Sequence, residues 1–232
     1  MPDYLFPPAE IPTLEIAGDS RRIPVGRIFC VGRNYAAHAA EMGSDVSREA
    51  PWFFTKSHSA ISTGGEAAYP PGTSDWQHEV ELVAVIGKPL WNAKASDVAD
   101  AICGWAVGLD MTRRDLQAAA KAARLPWDVA KDVEGSAVIG TVTASDSWPG
   151  PGQQSITLHV NDTERQSGTL DQMVWSVPEV LEHLSALYHL VPGDIVMTGT
   201  PAGVGPVYPG DLLRASVDGL TPLSHLIGPP AP

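Results

Sequence analysis

Hydrophobic and polar positions along this chain fall into short segments, some alternating and some continuously apolar, divided by clusters of glycine and proline. Such a pattern predicts many strands and few helices. Residues 27–32 read as a buried strand that breaks at Arg33-Asn34, and Asn34 is placed to cap a short helix over residues 35–42 that stops at Gly43. Residues 50–61 are aromatic and apolar around Lys56, and the glycine and proline of residues 62–74 make a loop. Strands follow at residues 80–86 and 104–109, with a modest amphipathic helix predicted over residues 94–103. A better helix covers residues 113–123, opened by Thr112 and Asp115 as a capping box with Asp in place of Glu, and broken by Leu125-Pro126-Trp127. The last third reads as strands at residues 155–160, 195–198 and 211–217, a turn at Asn161-Asp162, and one helix running from the capping box Ser176-Val177-Pro178-Glu179 to about Leu190.

These elements predict an α+β fold that is mainly β. Residues 1–26 carry Pro2, Pro7, Pro8 and Pro12 and alternations such as Leu14-Glu15-Ile16. They are expected to form an irregular leader or small edge ribbon outside one main domain over residues 27–232.

At 232 residues and 44% hydrophobic composition, the chain can bury a substantial core. Its 15 basic and 27 acidic residues give a formal charge of −12, which opposes binding to nucleic acid or anionic membranes. Cys30 and Cys103 both lie in apolar stretches. They imply no disulfide framework, and are expected to be buried small hydrophobes in a protein of the reducing cytoplasm. No apolar run reaches the length of a membrane span, and the proline-rich start lacks a basic region ahead of an apolar one.

Candidate chemistry begins at His78-Glu79-Val80-Glu81. In a strand, Glu79 and Glu81 leave from one face while Val80 and Leu82 enter the other. Two such carboxylates repel unless a proton or a cation sits between them, and a hard divalent ion relieves that cost best. The competing reading is an edge strand with a solvated acidic face. Asp110, at a strand-to-helix junction, is either a cap or a third oxygen ligand on an ion such as Mg²⁺. His38 and Glu41 stand three apart on one helical face, as a general base oriented by a carboxylate or as an exposed ion pair. Lys56 by itself reads as a snorkelling lysine, Lys131 as a solvated one, and Trp127 as packing.

Taken together, Val31-Gly32-Arg33-Asn34-Tyr35 with His38 and Glu41, His78-Glu79-Val80-Glu81, Gly108-Leu109-Asp110-Met111-Thr112, and Leu125-Pro126-Trp127 before Lys131 resemble the fumarylacetoacetate hydrolase family. The closing Pro192-Gly193-Asp194, Thr198-Gly199-Thr200-Pro201 and Gly203-Val204-Gly205 match as well, so the resemblance runs from about residue 27 to the C-terminus. It implies a mixed β-sandwich roll, a homodimer, and metal-dependent cleavage of a carbon–carbon bond in a 2,4-diketo acid with Mg²⁺ or Mn²⁺. By position it makes Glu79, Glu81 and Asp110 the metal ligands and His38 with Glu41 a water-activating dyad on a mobile lid helix. Lys131 and Gln117 would hold the reacting carbonyl and carboxylate oxygens, and Thr200 the pyruvoyl carboxylate.

Tyr4-Leu5-Phe6-Pro7-Pro8 and Tyr35-Ala36-Ala37-His38-Ala39 most resemble the branch that hydrolyses fumarylpyruvate in aromatic catabolism. A second carboxylate on such a substrate needs a local cation. Arg33, Lys56 and Arg113 lie beside the motifs, and Arg33 is the first choice because a guanidinium grips a carboxylate with two parallel bonds. Two departures bear on the pocket wall: Ser57 stands where the family usually has Pro, and Val133-Glu134 where it has a Phe-Asp pair. The chemistry is coherent, since a metal chelated by the 2-oxo acid stabilises the pyruvate enolate and His38 supplies the base. Oxaloacetate decarboxylation or keto-enol tautomerisation on the same scaffold is the alternative, and a non-catalytic metal-binding protein a more distant one.

Overall fold

The computed structural model describes residues 3–41 and 50–230. Gly43, the expected end of the first helix, lies outside them. The architecture is mainly β, as expected, with the strands of the described residues gathered into four sheets. A large mixed sheet runs in the order β4 (Phe53–Lys56), β3 (Ile28–Val31), β15 (Ile195–Met197), β8 (Val80–Ile86), β9 (Ile102–Asp110), β11 (Ala137–Ile139) and β5 (Ile61–Ser62), with β12 (Thr143–Ala144) paired to β9. A second sheet orders β14 (Thr163–Thr169), β13 (Ser155–Val160), β17 (Leu212–Val217), β18 (Leu223–Pro230) and β6 (Gly65–Tyr69). A three-stranded sheet joins β10 (Thr112–Arg113), β7 (Trp76–His78) and β16 (Gly205–Pro206). The start of the chain forms a hairpin of β1 (Thr13–Ile16) and β2 (Asp19–Pro24). Leu14 anchors it in the interior, and Val142 bonds to Glu15 and Ala17.

The helices are α1 (Ala36–Glu41), α2 (Arg114–Ala123), α3 (Asp128–Lys131) and α4 (Val177–Leu187). Among the described residues no helix is long and apolar enough to cross a membrane. The capping box of α4 forms, with the Ser176 N–H donating to the Glu179 carboxylate at 2.9 Å. Three local expectations fail. Residues 94–103 make two 3₁₀ turns before β9 begins at Ile102, because Ile102 is drawn into the ladder opposite Ile86. Asp115 does not cap α2 through Thr112; it accepts from the Thr73 hydroxyl and the Ser74 N–H at 2.6 and 3.0 Å, tying down the preceding loop. Asn34 does not cap α1 either, since its amide is spent on the backbone of Trp175 and Thr198.

The large sheet is covered on both faces. Leu82, Ala84 and Ile86 enter a core shared with Ile156, Leu158 and Leu213 of the second sheet, while Val83 and Val85 enter a smaller core with Ile28, Cys30, Ala106 and Met197. Burial on both sides explains the uninterrupted apolar run of β8. Both cysteines are free; Cys30 is buried as expected, but Cys103 is exposed at the start of β9.

Candidate active site

The alternation that sends Val83 and Val85 into the smaller core continues toward the start of β8 and puts Glu81 and Glu79 on the same side. In β9 the same parity takes Ala106, Gly108 and Asp110. Gly108 pairs with Glu81, and the Asp110 N–H donates to the Glu79 carbonyl at 2.8 Å. Gly108 admits no larger residue, because a Cβ there would lie 2.6 Å from Val83. One end of an apolar sheet face is thus tiled with three carboxylates, one oxygen of each within 4.8 Å of the others. Glu79, Glu81 and Asp110 are only 5, 2 and 1% exposed, which excludes a solvated acidic edge. Asp110 caps no helix; its oxygens meet lysines.

Cations are built in around two of the three acids. The Lys131 ammonium bridges Glu79 and Asp110 at 2.7 and 2.8 Å, and Arg114 pairs with Glu79. Burial opposes ionisation of Glu79, but Lys131 and Arg114 outweigh it and hold this carboxyl below the usual range. The same neighbours, Asp110 and Glu79, overcome burial and raise the Lys131 pKa. Among the described residues Glu81 has no such ion-pair partner: it accepts the Gly199 N–H at 2.7 Å, and burial followed by the charges of Asp110 and Glu79 pushes its carboxyl well up. Asp110 Oδ1 accepts no well-directed hydrogen bond from the described residues and meets the Lys56 ammonium at 2.9 Å. An all-oxygen donor set with one uncompensated acid and one underused oxygen fits a hard divalent cation.

Around the carboxylates stand other residues expected from the sequence. His38 is buried, with Nδ1 3.5 Å from Glu41, and Glu41 in turn accepts the Gly203 N–H at 3.1 Å. Burial lowers the His38 pKa, against the opposing charges of Glu79 and Glu41, so the imidazole is neutral near neutral pH and has a lone pair free to accept a proton. Gln117 is buried and accepts from Arg114 at 2.6 Å, while its Nε2 donates to no described residue. Thr200 is buried next to Gly199, the residue that holds Glu81. Gly199 has φ +97°, and a Cβ there would lie 2.6 Å from the Asn34 Cβ, so this turn requires glycine.

The candidate clamps for a distal carboxylate separate. Lys56 is fully buried, paired with Asp110 and donating to the carbonyls of Met111, Ser136 and Lys131. It is neither a snorkelling lysine nor free to reach the far end of a ligand. Arg113 donates to the Pro71 carbonyl at 3.0 Å, away from the carboxylates, because the chain turns into α2 there and the next side chain, Arg114, takes the inward position. Arg33 is exposed, with φ +58°, and makes no hydrogen bond or ion pair among the described residues. Two residues missed by sequence reasoning join the group. Arg114 was hidden behind its neighbour Arg113. Lys121 follows Arg114 and Gln117 along one face of α2, and its ammonium lies 5.0 Å over the Trp127 ring. The spacing of 114, 117 and 121 was the signal that could have found it.

The Fumarylacetoacetate (FAA) hydrolase C-terminal family matches residues 27–227. The chain belongs to this family. It is 42% identical to the fumarylpyruvate hydrolase of a Ralstonia species over 80% of this chain and 96% of that one. It is 40% identical to a mitochondrial oxaloacetate tautomerase of Arabidopsis thaliana, over 84% and 87%. Among solved structures, the fumarylpyruvate hydrolase of Pseudomonas aeruginosa in complex with Mn²⁺ and pyruvate superimposes with a TM-score of 0.93 at 42% identity, covering 98% of this chain and 100% of that one.

The departures from the fumarylacetoacetate hydrolase pattern now have a place. The Ser57 N–H and hydroxyl both donate to Asp132, at 2.9 and 2.8 Å, joining the end of β4 to the chain beyond α3 behind Lys56 and Lys131. Val133 is buried in the larger core.

Proposed function

We propose that this fumarylacetoacetate hydrolase family member hydrolyses the bond between C3 and C4 of a 2,4-dioxo acid, fumarylpyruvate by preference, giving fumarate and pyruvate. The observation that carries this reading is a buried carboxylate triad next to a neutral, carboxylate-oriented histidine. Glu79, Glu81 and Asp110 would hold Mg²⁺ or Mn²⁺, which draws negative charge from the 2-oxo acid and so favours departure of the pyruvate enolate. His38 accepts a proton from water, whose oxygen attacks C4; the C3–C4 bond breaks, its electron pair goes to the enolate, and C3 is then protonated. Glu41 keeps the His38 tautomer, and its bond to Gly203 ties that helix to the turn that carries Thr200. Lys131 and Gln117 hold the reacting oxygens, and Thr200 holds the pyruvoyl carboxylate. Arg33 and Lys121 grip the second carboxylate. We further propose a cytoplasmic homodimer with one site per chain, residues 27–232 forming the catalytic unit.

Turnover of fumarylpyruvate and acetylpyruvate is measured with Mn²⁺, with chelator, and in His38→Ala. Turnover that survives chelation defeats the metal-dependent reading. The tautomerase relatives at similar identity support a second reading, oxaloacetate tautomerisation or decarboxylation, which needs no water-activating pair. Loss of acylpyruvate hydrolysis in His38→Ala with oxaloacetate chemistry retained would show both on one site. Absence of acylpyruvate turnover in the unaltered protein would leave the second reading alone.

A further inference from the structure

β14 is an edge strand of almost entirely polar residues, Thr-Glu-Arg-Gln-Ser-Gly-Thr, and Gln166 is its one buried side chain. Nothing in the proposed chemistry uses it, yet its amide meets four partners. Oε1 accepts the Val80 N–H at 3.0 Å and lies 2.9 Å from His78 Nδ1. Nε2 donates to Thr200 Oγ1 at 2.7 Å and to the Pro201 carbonyl at 2.8 Å. Two of these partners are chemically fixed: a backbone N–H only donates and a carbonyl only accepts. They leave one orientation for the amide, and they require His78 to carry its proton on Nδ1.

From the geometry we infer that Gln166 is a positioning residue that turns the Thr200 hydroxyl into a donor toward the ligand. Its Nε2–H occupies a lone pair of Thr200 Oγ1, so the hydroxyl cannot donate back to Gln166. Its proton has no acceptor among the described residues and is directed by default to whatever anion enters. A hydroxyl already accepting one hydrogen bond is polarised and donates a stronger one. The same amide fixes where Thr200 lies relative to the carboxylates, because it spans from Val80, between Glu79 and Glu81, to the turn at Thr200-Pro201. Close packing leaves that turn little freedom: a Cβ on Gly203 would lie 2.0 Å from the Arg165 carbonyl. This inference rests on the reading that Thr200 holds the carboxylate of a 2-oxo acid.

The test is oxalate binding to the Mn²⁺-loaded protein by calorimetry, together with steady-state kinetics. Gln166→Glu is nearly isosteric, but its carboxylate accepts where the amide donated, so it captures the Thr200 proton. It should weaken oxalate binding about tenfold or more, consistent with about 1.4 kcal/mol per factor of ten, and raise KM by a similar factor with a smaller change in kcat. Thr200→Val should do the same, and the double variant should be little worse than either single one, since both remove one donor. Thr200→Ser keeps the hydroxyl and should restore near-normal affinity. Unaltered oxalate affinity in Thr200→Val, or losses that multiply in the double variant, would overturn the inference. Thr200→Val leaves Gln166 intact and tests the inference even where Gln166→Glu does not fold. Should no acylpyruvate be hydrolysed while these oxalate effects appear, the hydrolase reading fails and the role of Gln166 stands.

Discussion

Asp110 donates its backbone N–H to the carbonyl of Glu79 at 2.8 Å, so the strand ladder itself sets these two carboxylates side by side. Glu81 joins them by strand parity and without a cation of its own. In the metal-free protein Glu81 is therefore a destabilising group. Glu81→Gln is expected to abolish the rise in melting temperature on adding Mn²⁺, and in chelator to melt at or above the temperature of the unaltered chain. A variant that melts well below it in chelator would contradict this account of the site.

Lys56 is the opposite case, a buried charge whose removal leaves Asp110 with one cation fewer and takes a donor from three carbonyls, of which Ser136 keeps the Met111 N–H and Lys131 the Ser136 hydroxyl. Breaking a buried pair from one side costs about 3–5 kcal/mol. Lys56→Met should lose stability of that order in urea unfolding. Among the molecules that fold, the ratio of kcat/KM for fumarylpyruvate over acetylpyruvate should be unchanged. A collapse of that ratio without loss of stability would restore Lys56 as a clamp on the acyl group.

Arg33 and Lys121 should behave in the reverse manner. Burial, followed by the charges of Arg114 and Arg33, lowers the Lys121 pKa, so like charges converge along this face of α2. An incoming carboxylate relieves that repulsion. Arg33→Ala and Lys121→Ala are each expected to cut kcat/KM for fumarylpyruvate about tenfold, corresponding to about 1.4 kcal/mol, and to leave acetylpyruvate within about twofold. Equal losses on both substrates would remove the distal clamp.

His225, on β18, is buried with Nδ1 unpaired among the described residues, and burial pulls its pKa from 6.5 down to about 4. The unfolded chain therefore takes up this proton first as pH falls. Stability from this group is complete above pH 6.5 and drains away between 6.5 and about 4, by at most about 3 kcal/mol. His225→Phe should lose less stability than the unaltered chain between neutral pH and about pH 4.5 in urea titrations, all other titrating groups being shared. Parallel losses in the two proteins would show that His225 is protonated in the fold.

Much of the site was legible before the fold was known, because strand alternation is local: the period of two alone assigns Glu79 and Glu81 to one face and Val80 to the other. The glycines and prolines likewise marked where strands end, and the Ser176 and Glu179 pair marked a helix start that the structure contains. Other assignments depended on which distant residues come to lie alongside. Arg114 rather than Arg113 faces the carboxylates because of the turn into α2, and Lys56 became a buried partner of Asp110 because the carbonyls of Met111, Lys131 and Ser136, distant in sequence, converge on its ammonium. Asn34 reads locally as a helix cap, but Trp175 and Thr198 compete for its amide and win. Gln166 shows the limit best: in a polar edge strand it is indistinguishable from its solvated neighbours. Only the approach of Val80, Thr200 and Pro201, from two other parts of the chain, removes it from water and fills every hydrogen-bonding position it has. Periodicity determines the face on which a residue lies, whereas the partners that assign its charge and protons are supplied by tertiary packing.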